Sequence, residues 1–363
     1  MAAVAAAGLA VGLTGVAGES ARADGTTLTA TTYSTAGTLD GVAAASNSNA
    51  WAVGSTGLNS SQRILMLHWN GSSWSRVTKP SVLAAPGGLS AVTVVNARDA
   101  WAVGSTLSGA STTHTLLLHW NGSAWSQVTS PAPVKNGVLS AVAATASGGW
   151  AVGHISASAA ANFQALIFRL SGSKWSRFGT KLGLGAGLGG VAITSGRAAW
   201  AIGSEAGMIT ANLAKWNGST WSPAGPFPLE GVYHGLYGIA AGPGGIVFVV
   251  GWNGNAPPTP ALSMKWTGKA WVKVTVGAPV SSGLNAVTFA PGGTAWAAGQ
   301  TGTRTMILRW NGREWTRIAS PGSGGIYGLG FSAAGYGWAV GVAPTPSGTG
   351  KTLILHWNGH SWN

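Results

Sequence analysis

One unit returns seven times along this chain. It is an apolar stretch, then Trp-Ala-Val-Gly or a near copy, then a Leu-rich stretch closing on Trp-Asn-Gly-x-x-Trp. The second element is marked by Trp51, Trp101, Trp150, Trp200, Phe248, Trp296 and Trp338, at steps of 50, 49, 50, 48, 48 and 42 residues. A period near 50 with strand patterning in every copy is the signature of small sheets arranged radially. The expected fold is all-β: a seven-bladed β-propeller of four-stranded blades, in one domain over residues 24–363.

The second unit shows the expected strands. Residues 89–95 read as the innermost strand a, 100–103 as strand b closed by Gly104, 116–120 as strand c, and Trp125 opens strand d, which Pro131 stops. The apolar runs are near-continuous, as in sheets covered on both faces. Asn121-Gly122 predicts a two-residue type I′ hairpin, whose central residues both need positive φ. The glycine ending strand b recurs in all seven units (Gly54, Gly104, Gly153, Gly203, Gly251, Gly299, Gly341), which marks a backbone requirement rather than a ligand. Of 20 Trp, 19 fall on three repeat positions and only Trp252 stands outside them. Indole faces can stack on sugars, but residues at equivalent strand positions read more simply as inter-blade core. Each would bury on the order of 200 Å², roughly 5 kcal/mol at about 25 cal/mol per Å².

Loop lengths separate two faces. The a–b and c–d connections keep nearly constant length, whereas the b–c and d–a connections vary, and variable loops are where a scaffold presents function. The last unit stops at Trp362-Asn363, at the start of its strand d. Residues 26–38 precede the first unit where every other unit has the preceding blade's outer strand, so an N-terminal strand over 26–35 is expected to close the last blade.

Residues 2–17 are apolar and rich in small side chains, too short for a comfortable membrane span. Ala21-Arg22-Ala23 follows and fits a small-x-small cleavage site, so residues 1–23 are read as a cleaved signal peptide. The mature chain is then secreted, extracellular or cell-surface associated, with no transmembrane segment, and is expected to be a monomer. The net charge of +13 arises from 20 Lys and Arg against seven acids and favours polyanionic surroundings. Export makes an anionic cell-wall polymer the favoured polyanion over nucleic acid. Cysteine is absent, which excludes disulfides, thiolate metal sites and a Cys nucleophile.

The order of strand, strand ending in Gly, strand with an aromatic, and Trp opening the outer strand resembles the kelch repeat over residues 39–363. The family's double Gly is single here (Gly54-Ser55, Gly104-Ser105, Gly153-His154), and its strand-c Tyr is replaced by Trp69, Trp120, Trp216, Trp266, Trp310 and Trp357. The Ala-Trp-Ala-Val-Gly and His-Trp-Asn-Gly-x-x-Trp wording is similar to repeats of secreted bacterial propellers. The resemblance implies the fold and leaves the ligand open. A copper site like that of galactose oxidase would need a Cys–Tyr crosslink, which this chain cannot form. The sialidase Asp-box carries an Asp where this sequence has Trp69.

Four candidate features remain. Residues 68, 119, 169, 215, 265, 309 and 356 are His, Lys or Arg in every blade, which reads either as a solvated rim that keeps the protein soluble or as a polyanion footprint. Three Asn-Gly-Ser sequons, at Asn70, Asn121 and Asn217, are explained by turn geometry. Of the acids, only Glu205 and Glu230 are placed to form a catalytic pair. Finally, the x position of the strand-a motif Leu-x-Gly/Ala-Val reads Asp40, Ser90, Ser140, Gly189, Tyr237, Asn285 and Tyr327, between neighbours that stay small or apolar. Asp40, Tyr237, Asn285 and Tyr327 are therefore expected to line a channel mouth, extended by Tyr233, His234 and Trp252. No metal or cofactor is implied. The expected function is non-catalytic binding or scaffolding towards a cell-wall polymer, a glycan or a protein; the alternative is a degenerate glycan-active hydrolase or lyase.

Overall fold

The structure is a computed structural model that describes residues 33–57, 61–109, 111–129, 131–157, 162–180, 182, 187–195, 198–204, 211–224, 229, 234–254, 260–279, 281–348 and 350–363. The first blade runs outward through β1 (Thr38–Ser46), β2 (Asn49–Thr56), β3 (Arg63–Trp69) and β4 (Trp74–Arg76), each antiparallel to the last. Five further sheets repeat this order with four strands, and the seventh comprises Gly325–Phe331, Gly337–Ala343 and Lys351–Trp357. The seven innermost strands stand side by side around an axis, each against the next and the seventh against the first. The chain is a seven-bladed β-propeller.

The blades are held together by tryptophan. Strand-b and strand-d Trp side chains are buried, and each strand-b ring meets the strand-d ring of the following blade edge-on. Trp125 lies 5.1 Å from Trp51 at an interplanar angle of 89°. The strand-c rings Trp120, Trp266, Trp310 and Trp357 are half-buried and pack on the edges of the same clusters.

The c–d turn is not the two-residue type I′ hairpin that Asn-Gly predicts. Trp69 pairs with Trp74 and leaves four loop residues. Only the glycine takes positive φ (Gly71 at 98°), since Asn136 and Ser281 are the non-glycine residues with positive φ among those described. Asn70 instead accepts through Oδ1 from Ser72 N at 3.0 Å and Ser73 N at 2.9 Å, a side-chain cap in place of a backbone turn. Asn121, Asn217, Asn311 and Asn358 do the same.

The residues described before β1 run beside the last blade. Ala36 bridges Lys351 antiparallel, Thr352 N donates to Thr35 O at 2.9 Å, and Thr352 Oγ1 donates to Tyr33 O at 2.9 Å. Further along the strand, Trp362 bridges Trp357. The expected closing strand over 26–35 is described only from Tyr33, and residues 26–32, like the expected signal peptide, lie outside the described residues.

Candidate functional site

The variable strand-a column marks a β-bulge repeated seven times. In β1, Leu39 pairs with Gly54 and Gly41 with Val53, so Asp40 has no partner in β2. Ser90, Ser140, Gly189, Tyr237, Asn285 and Tyr327 are skipped in the same way. The strand-b glycines make this possible. A Cβ on Gly54 would fall on the Thr38 carbonyl oxygen, and each of the other six would strike the equivalent oxygen. A bulge removes one residue from the ladder and re-aims its side chain. In every blade, the residue released is the one that the sequence allows to vary.

Four of the released side chains form an arc over blades five, six, seven and one. Tyr237 is 40% exposed although the preceding Leu236 is buried. Asn285 Nδ2 donates to Ile326 O of the next blade at 2.9 Å. The Tyr327 phenol is pushed above its usual pKa by burial first, then by the Asp40 carboxylate and by Tyr237, which ties the three into one cluster. Burial lifts Asp40 itself to about 7. The opposite arc carries only Ser90, Ser140 and Gly189, so the rings and polar groups among the released side chains gather on one side of the propeller axis.

A second column, not singled out from the sequence, borders the first: the residue after each strand-b glycine. Trp252 follows Gly251 and donates its Nε1 hydrogen to Tyr237 Oη at 3.0 Å. Gln300 follows Gly299, and the space above Gly325 is shared by Gln300 Oε1 and Tyr327 Oη. His154 follows Gly153 and meets the Phe163 ring at a tilt of 53°, with centroids 4.4 Å apart. The signal for this column was present, since Ser55, Ser105, His154, Ser204, Trp252, Gln300 and Val342 vary beside an invariant glycine. His234 pairs through its backbone with Asn253. Tyr233, Glu205 and Glu230 lie outside the described residues.

The basic column is a rim that also packs on rings: Arg169 and Arg309 are exposed and the other five are half-buried. Each of its residues lies directly across from the strand-b aromatic of its own blade: His68 opposite Trp51, His119 opposite Trp101, Arg169 opposite Trp150, Lys215 opposite Trp200, Lys265 opposite Phe248, Arg309 opposite Trp296 and His356 opposite Trp338. The imidazoles stack, as His119 does on Trp101 at 4.0 Å, and Lys215 Nζ sits 4.9 Å from the Trp200 centroid. Cation–π and ring stacking explain a column that must be both flat or cationic and long. Burial pushes His68 and His356 below the usual imidazole range.

Among the described residues no cluster of three His, Asp or Glu could hold a metal. The described acids are Asp40, Asp99 and Glu314; Asp99 pairs with His119 at 3.1 Å. Among the described residues no helix is long and apolar enough to cross a membrane.

No family model matches the chain, and no curated protein matches it. Solved structures do resemble it. YCF48 bound to D1 peptide superposes with a TM-score of 0.55 at 16% identity, covering 90% of this chain and 99% of that one. Virginiamycin B lyase from Staphylococcus aureus gives 0.57 at 12% identity, over 88% and 94%. The WD40 propeller domain of Doa1 gives 0.54 at 11% identity, over 89% and 94%. At such identities the likeness is one of fold, and these folds serve binding and enzymatic roles alike.

Proposed function

We propose that this chain is an exported, kelch-like, non-catalytic binding propeller. It engages a cell-wall polymer, a glycan or a protein segment through the mouth of its central channel, on the face of the variable loops. The supporting observation is the coincidence of two patterns: the one strand-a position free to vary is the one that the bulge turns out of the blade in all seven repeats. Two phenols, an indole N–H already bonded to one of them, an amide and a single half-buried acid suit a polar ligand with flat faces, such as a sugar ring or an extended peptide. YCF48, a propeller described with a bound peptide, offers an analogy at the level of fold.

A second reading, a degenerate glycan-active enzyme, draws on Asp40. A carboxyl with a pKa of about 7 holds a proton near neutrality, as a general acid must. The two readings separate in one experiment. The chain beginning at Asp24 is incubated with insoluble wall material and with a polysaccharide panel. Retention without release of reducing ends fits binding, and reducing ends that disappear in Asp40→Asn fit catalysis.

A further inference from the structure

The face carrying the c–d hairpins, opposite the channel mouth, holds a second feature. Between the outer strand of blade five, Trp271–Lys273, and the 310–315 hairpin of blade six lies a cleft of about 410 Å³. Lys265, Val272, Lys273, Trp310, Arg313 and Glu314 line it. Lys265 Nζ stands 5.2 Å from the Trp310 ring centroid, and Lys273 and Arg313 are exposed. None of the three cations has an ion pair within 4.0 Å among the described residues, Glu314 included. Asn311 Oδ1 accepts from Arg313 N at 2.9 Å and Glu314 N at 2.8 Å, so both charged side chains leave from a braced turn. Val272, directly across from Lys265, is 40% exposed and forms an apolar wall.

The repeats provide an internal comparison. The matching positions between blades one and two are His68 and Arg76, facing a neutral Ser123-Ala124 turn. Between blades three and four they are Arg169 and Arg177, facing Ser219-Thr220. Between blades four and five Pro223 replaces the strand-d cation and Lys269 lies in the turn. Only the junction of blades five and six gathers three permanent cations and a carboxylate in one cleft.

We propose that this cleft binds an anionic glycan, a sugar chain carrying carboxylate or phosphate groups. The cations meet the anion, with Arg313 offering a planar fork. Val272 and the edge of Trp310 offer an apolar surface to a sugar ring. Glu314 accepts from sugar hydroxyls, a role it would not have towards a bare anion, which it would repel. A single-stranded nucleic acid would need a run of open aromatic faces, and Lys265 already sits over Trp310.

The test titrates the chain beginning at Asp24 with polygalacturonate, glucosylated poly(glycerol phosphate) and neutral dextran at 50 mM salt. At least one charged probe should bind and dextran should not; which charged probe binds assigns the anion. Lys273→Gln/Arg313→Gln should weaken binding at least tenfold without changing the melting temperature. Arg177→Gln/Arg317→Gln removes two exposed charges from other blades and should weaken it less than twofold. Glu314→Gln should weaken it as well. Equal loss in both double variants would show diffuse attraction to a basic protein and overturn the site. So would failure of both charged probes, and tighter binding in Glu314→Gln would replace the glycan with a bare anion.

Discussion

The Trp252 indole donates its Nε1 hydrogen to the Tyr237 phenol oxygen at 3.0 Å, within one blade. Tyr237 is the bulged residue of its strand, and Trp252 follows the glycine that permits the bulge. Gly235 lies across from Trp252, where a Cβ would strike the indole. These three positions make one braced aromatic shelf. Rings held in place before a ligand arrives lose little entropy when it binds.

Asp40 should make stability depend on pH. Its folded pKa is raised by burial from 3.8 to about 7, so the unfolded chain gives up this proton first. The residue's contribution therefore falls as pH rises from about 4 to 7, and the cost of burying the carboxylate is fully present above that. Asp40→Asn should gain roughly 2–4 kcal/mol over the parent at pH 8.5 and little at pH 4. Urea melts at the two pH values check this; an equal difference at both would remove the buried carboxylate from the explanation.

The N-terminal segment should be required for the ring. Tyr33 packs on the cluster containing Trp69, Trp74 and Trp338, and Thr35 and Thr352 exchange backbone and hydroxyl hydrogen bonds. Deleting residues 24–36 exposes the outer edge of the last blade, and should cost several kcal/mol or prevent folding. A deleted chain that melts like the intact one would contradict closure from this end.

Trp125→Ala should destabilise by roughly 3–5 kcal/mol, because Trp125 is 4% exposed between two blades and its loss leaves a cavity. Trp125→Phe should cost far less, since the indole N–H it discards is buried without an acceptor. Denaturant unfolding of the pair separates packing from hydrogen bonding.

The blade count, the Trp core and the ring were legible because a 50-residue period repeats every apolar contact. The bulge was not. A column with Asp40, Tyr237 and Tyr327 shows freedom to vary, but the fixed Leu and Val beside it read as one near-continuous apolar strand, and a skipped partner leaves no mark in the composition. At Asn121-Gly122 the dipeptide signal for a two-residue hairpin competes with the five-residue step from Trp120 to Trp125, and the step prevails because that pairing leaves four loop residues. The ring packing of the basic column was not legible for another reason: His68 meets Trp51 across 17 residues of chain, and a rim and a stacked ladder share one sequence.

The site itself is tested most directly with Tyr237→Ala/Tyr327→Ala. Parent and double variant are applied to an array of neutral oligosaccharides and extended peptides, and affinities are measured for the strongest parent ligands. Removal of both rings should weaken those ligands at least tenfold while the melting temperature holds, and Lys273→Gln/Arg313→Gln should leave them unchanged. Parent ligands that bind Tyr237→Ala/Tyr327→Ala with undiminished affinity would place the binding surface away from the channel mouth.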